Sequence, residues 1–93
     1  MRQPREIVTE VVILNSLGLH ARPAAMLVEA VSNLSCEVSI TKDDLTVDAK
    51  SLMGVLTLAA EQGAILHLCA RGSDRQLALD RITQLVESKF GEE

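Results

Sequence analysis

Gly18-Leu19-His20-Ala21-Arg22-Pro23-Ala24 joins an apolar run, Val11-Val12-Ile13-Leu14, to a second, Ala24-Ala25-Met26-Leu27-Val28-Glu29-Ala30-Val31. The first run predicts a strand and the second a helix. Asn15-Ser16-Leu17-Gly18 supplies the turn between them. Pro23 suits the first helical turn, where a backbone N–H has no intrahelical partner and its loss costs little. His20 and Arg22 therefore fall where unpaired N–H groups and the positive end of a helix dipole converge. That is an anion-binding position.

The chemistry of such a place is narrow. Positive potential favours a neutral, nucleophilic imidazole. Were the ring to take a phosphoryl group, the N–H groups of Ala21 and Arg22 and the Arg22 guanidinium would hold its oxygens. No acid, second base or metal-ligand cluster adjoins His20 in the sequence. The pattern fits a histidine that receives and passes on a group better than one that turns over a substrate. Arg22, an ordinary surface residue in isolation, reads beside His20 as a phosphate clamp and a contact for acidic partners. Ser16 reads as a turn residue next to the same place.

Outward from this stretch, period and punctuation predict the remaining elements. Met1 to Glu6 reads as a polar tail. Ile7 to Leu14 is the first strand, with Ile7, Thr9, Val11 and Ile13 on one face. Ala21 to about Asn33 is the first helix, its core stripe Ala24, Leu27, Val28 and Val31. Cys36 to Thr41 alternates and predicts a second strand. Lys42-Asp43-Asp44 turns into a third, Leu45 to Ala49, forming an antiparallel hairpin. Ser51 is a candidate N-cap for a short apolar helix, Leu52 to about Ala59. Ala64 to Arg71 is the fourth strand. Gly72-Ser73-Asp74 caps a last helix running to about Lys89, with Leu77, Ala78, the Arg81 stem, Ile82, Leu85 and Val86 inward. Phe90-Gly91-Glu92-Glu93 reads as a frayed end. The order βαββαβα, with apolar residues on one sheet face, predicts a two-layer α+β sandwich with its helices on that face. Glu37, Ser39, Ile65, His67 and Cys69 fall on the other, solvated face.

Composition narrows the function classes. Ninety-three residues make one domain. The single Phe, with no Trp or Tyr, requires an aliphatic core. A formal net charge of -4 and almost no aromatics argue against nucleic-acid binding. No apolar run approaches the roughly 20 residues that span a bilayer, and no hydrophobic region follows the N-terminal residues. A cytoplasmic address is the expectation. Cys36 shares the phase of Val38 and Ile40 and is expected inward; Cys69 is expected outward, so the two cannot be bridged. His67 reads as a bystander, and Asp43-Asp44 and Glu92-Glu93 as solvated charges. No metal or cofactor motif is present in the sequence.

On these residues the chain resembles the HPr family, the phosphocarriers of the bacterial phosphoenolpyruvate:sugar phosphotransferase system. Gly18 to Ala24 is similar to the family's phosphorylation-site signature. Ala49-Lys50-Ser51-Leu52-Met53-Gly54-Val55-Leu56-Thr57-Leu58 is similar to its regulatory serine region, with the spacing from His20 to Ser51 in register. The resemblance covers nearly everything from Ile7 to Glu87. It implies an open-faced β-sandwich with an antiparallel sheet in the order 1-4-2-3, and a phosphohistidine at His20 formed on Nδ1. It implies partners in enzyme I, sugar-specific EIIA domains, an HPr kinase/phosphorylase acting at Ser51, and a carbon-control regulator. Docking would use Arg22, Lys50, Leu52, Met53 and Leu56, and the family expectation is a monomer. Met53 suits shared use, since a flexible thioether repacks against different surfaces. Glu29 and Ser32 make the outer face of the first helix less positive than the family pattern. A mainly regulatory protein of carbon or nitrogen control is the alternative, and a non-catalytic binding module is a third reading.

Overall fold

The computed structural model describes residues 6–92. Strands β1 (Glu6–Val12), β2 (Cys36–Lys42), β3 (Leu45–Asp48) and β4 (Ile65–Gly72) alternate with helices α1 (Ala21–Val31), α2 (Leu52–Thr57) and α3 (Arg75–Glu87). The sheet is antiparallel in the order β1-β4-β2-β3, and the element order is βαββαβα. Fold and strand order are those expected. The expected N-terminal tail loses its last residue to the sheet, because Glu6 pairs with Arg71; residues 1–5 lie outside the described residues.

The centre of the sheet shows why the alternation works. β4 places Leu66, Leu68 and Ala70 on the helix side, beside Val11 of β1 and Val38 and Ile40 of β2, all buried. Ala24, Leu27 and Val31 of α1 and Ala78, Leu79, Ile82 and Val86 of α3 close over them. Each fully buried aliphatic side chain contributes on the order of 1.5–3 kcal/mol. Thr9, expected inward, is exposed on β1, an edge strand of the sheet. In α3 the buried stripe turns by part of a residue step: Leu79 is inside, while Leu77 is 42% exposed. The Arg81 side chain is also outside, its Nη1 donating to the Ala30 carbonyl at 2.9 Å. Helix α3 packs on α1 and the sheet at once. That double contact, invisible in a single-helix period, selects the stripe.

Cys36 is half-buried against the core and Cys69 lies on the outer sheet face; both are free. Burial pushes both thiols up, and for Cys69 the Sγ bond to Glu6 Oε2 adds to it. His67 pairs with Glu10 on that same face, both well exposed, a pair of small energetic weight.

The C-terminal segment departs most from expectation. Instead of fraying, the chain turns back through a 3-10 turn at Lys89–Gly91. Lys89 and Phe90 both adopt left-handed backbone, with φ 57 and 53, which costs roughly 1–3 kcal/mol for each non-glycine residue. The return is full burial of Phe90, the chain's single aromatic residue. Truncation of a buried Phe costs about 3–5 kcal/mol, so the two terms are of similar size and the reversal is sustained by that one side chain. Phe90→Ala should therefore lower unfolding free energy in urea by about 3–5 kcal/mol. A change below about 1 kcal/mol would show that the reversal does not depend on the ring.

Candidate functional site

After Val12 the chain leaves the sheet but stays tied to the segment that enters β4. Ile13 N–H donates to the Ala64 carbonyl at 2.9 Å, and Gly63 N–H to the Ile13 carbonyl at 2.8 Å. Gly18 N–H closes the turn on the Asn15 carbonyl at 3.1 Å, and Leu19 N–H reaches the Ala60 carbonyl at 2.8 Å. Gly18 is required there. Its φ is +70, and a Cβ would collide with the Ala60 carbonyl oxygen. This stapled turn delivers His20 in extended conformation, φ −76 and ψ −171, as the residue capping α1 without a side-chain cap bond.

The helix start then offers few free donors. Pro23 has no N–H, and the Ala24 N–H bonds to the His20 carbonyl at 2.9 Å. The N–H groups of Ala21 and Arg22 are the first-turn donors left over by helix geometry. Ala21 and Arg22 are both exposed, and the His20 side chain is 38% exposed. His20, Ala21 and Arg22 thus meet at the start of α1, where the sequence expects them.

The structure adds two residues that sequence reasoning passed over. Asn15, read only as a turn residue, is fully buried, and its Nδ2 donates to the Gly18 carbonyl at 2.7 Å and to Glu92 Oε1 at 3.0 Å. Its Oδ1 is buried with no hydrogen-bond partner among the described residues. Glu92, read as a solvated charge, has its carboxylate in the site: Oε2 lies 2.8 Å from His20 Nε2 and 3.0 Å from Arg22 Nη1. Its side chain is only 15% exposed. A carboxylate thus stands where the sequence placed only positive potential. The buried Phe90 two residues earlier was the available signal, because an isolated large apolar residue near a terminus seeks the core.

The second expected region is also formed. Ser51 is the N-cap of α2, its Oγ accepting from Gly54 N–H at 3.0 Å. Met53 is 72% and Leu52 is 42% exposed, whereas Leu56 is half-buried against the core and contributes only an edge to any surface patch. Val55 and Leu58 face fully inward, which gives the short apolar helix an inner and an outer side. Leu17, 72% exposed in the turn before His20, is a further apolar residue not singled out from sequence. Lys50 is not free: its Nζ donates to the Leu34 carbonyl at 2.7 Å. Glu29 on α1 and Ser32 at its C-cap are exposed, as expected. Among the described residues no helix is long and apolar enough to cross a membrane.

Known proteins share this architecture and sequence. The family model for the PTS HPr component phosphorylation site matches residues 7–88. Over 87 residues the chain is 42% identical to the phosphocarrier protein HPr of Treponema pallidum (strain Nichols), covering 94% of this chain and 99% of that one. It superposes on the crystal structure of HPr-C-His from Thermoanaerobacter tengcongensis with a TM-score of 0.89 at 42% identity, covering 94% of this chain and 98% of that one. An HPr dimer from the same organism gives a TM-score of 0.75 at 44% identity, covering 88% and 94%.

The Glu92 cluster has a measurable titration. Burial pushes its carboxyl up, but hydrogen bonds from Asn15, His20 and Arg22 outweigh that and hold it below the usual carboxylate range. A carboxyl depressed in the folded state stabilises the fold above its unfolded value and loses that contribution as pH falls through the folded value. Carbon-13 titration of the Glu92 carboxyl should give a midpoint below the 4.5 of an unperturbed glutamate, rising in Arg22→Ala. A midpoint at or above that value contradicts the cluster.

Proposed function

The chain belongs to the HPr family, the phosphocarriers of the phosphotransferase system, and from that premise we propose that His20 is its phosphoryl-accepting residue, charged by enzyme I and discharged to EIIA domains. One observation carries the reading. Asn15, His20 and Arg22 converge on a single carboxylate, so the junction is already built to gather an anion beside an imidazole. A phosphoryl group on His20 would draw on the unused donors of the Arg22 guanidinium, which has five, and on the Ala21 and Arg22 N–H groups at the positive end of α1. The partners bring the remaining catalytic groups, and the carrier's part is to present one nucleophile in a fixed position. The proposed working unit is a monomer in the cytoplasm.

Leu52 and Met53 are the proposed docking residues, with Leu56 at the margin and Arg22 meeting acidic partner side chains. Lys50 takes part through its backbone position more than its engaged ammonium. Ser51 is proposed as a regulatory phosphorylation site for an HPr kinase/phosphorylase, with a carbon-control regulator as reader. Its Oγ sits at the start of α2 beside exposed Met53. About two negative charges placed there would oppose docking of an acidic surface and slow transfer to His20.

Intact mass after incubation with phosphoenolpyruvate and a cognate enzyme I tests the main reading. The expected product carries one phosphoryl group that is acid-labile and alkali-stable, and is absent in His20→Ala. Acceptance persisting in that variant would remove His20 from the role. For Ser51 the two functions separate. Ser51→Ala should cost about 1 kcal/mol of stability through the lost cap and leave acceptance intact, whereas Ser51→Asp should slow acceptance several-fold. Equal acceptance rates for the two variants would reject the regulatory role.

A further inference from the structure

We propose that Glu92 is a positioning residue for phosphoryl acceptance, fixing the His20 ring with its proton on Nε2 and its lone pair on Nδ1. The inference rests on the carrier reading above and deepens it. The geometry is specific. Glu92 Oε2 lies 2.8 Å from His20 Nε2, and an ionised carboxylate only accepts, so the ring must donate from Nε2. In the neutral imidazole the other nitrogen is then the one with the free lone pair. The carboxylate is itself held from two further directions, by Asn15 Nδ2 at 3.0 Å and Arg22 Nη1 at 3.0 Å. Asn15 is locked in turn by its bond to the Gly18 carbonyl and by complete burial. A carboxylate that orients an imidazole through its far N–H is a recurrent device, setting both tautomer and ring direction.

The positioning matters at the moment of transfer. The Nδ1 lone pair forms the bond to phosphorus while the bond from phosphorus to the donor's leaving atom breaks. That electron pair departs with the donor, and no proton has to move. The ring gains positive charge, part of it at Nε2–H, where Glu92 is in direct contact. The wrong tautomer, with hydrogen on Nδ1, has no lone pair to offer there. Glu92 reaches this place only because Phe90 anchors the reversal of the chain after α3.

The full-length chain supplies the test, in two measurements on Glu92→Ala and Glu92→Gln. Nitrogen-15 shifts of the neutral His20 ring should show a single Nε2–H tautomer in the native chain and averaged, mixed-tautomer shifts in Glu92→Ala. Glu92→Gln should retain part of the bias, because its carbonyl oxygen can still accept. Acceptance from phosphoenolpyruvate-charged enzyme I should slow about tenfold in Glu92→Ala, with Glu92→Gln between the two. Unchanged tautomer shifts or an unchanged rate overturns the proposal. A faster rate overturns it too, marking Glu92 as a competitor for the phosphoryl position. Native chain that accepts no phosphoryl group removes the carrier reading and with it the catalytic meaning of the contact, while the ring shifts still report the contact itself.

Discussion

The antiparallel pairing of β1 with β4 is the constraint on which the rest depends. It aligns Val12 with Ile65, so the chain leaving β1 and the chain entering β4 emerge side by side. Their backbones then exchange hydrogen bonds from Ile13, Gly63 and Leu19. A turn tied at both ends leaves little freedom for the residue that caps α1, and that residue is His20. A side chain on an exposed loop is ordinarily mobile. Here the scaffold orders it through backbone bonds to a neighbouring segment, and the approach is so close at Gly18 that no side chain fits.

The C-terminal reversal completes the same place from the opposite end of the sequence. Left-handed backbone at Lys89 and Phe90 is opposed by burial of an aromatic ring, and Glu92 follows as a consequence of that anchor. Its carboxylate gathers Asn15, His20 and Arg22 without any of them being adjacent to it in sequence. Charge-assisted bonds of this kind are stronger than neutral ones and geometrically selective. The cluster is therefore pre-ordered before any partner approaches, which lowers the entropic cost of forming a productive encounter. Membership of the HPr family gives the cluster its context; the proposed roles follow from its geometry.

Helix α2 illustrates a division of labour within six residues. Val55 is fully buried and anchors the helix, while Leu52 and Met53 remain outside. Ser51 caps the helix through Gly54. A residue whose side chain already completes a helix end is well placed for a charge-changing modification, since the added group alters the surface potential without unfolding the element.

Much of this was legible in the sequence. The strand and helix periods, Pro23 in a first turn, the Ser51 cap and the Gly18 to Ala24 signature are local features, and local chemistry determines them. Resemblance supplied the strand order, which period alone does not contain. What the sequence concealed was non-local: the rotation of the α3 stripe toward Leu79, the burial of Asn15, the return of Phe90 and the entry of Glu92 into the site. Each depends on surfaces that exist only once α3 lies across the sheet. Glu92 is the clearest case. Read along the chain it is one of two terminal acids, and only the packing of Phe90 makes it a partner of His20, because the position of a charge is decided by where its neighbours are buried.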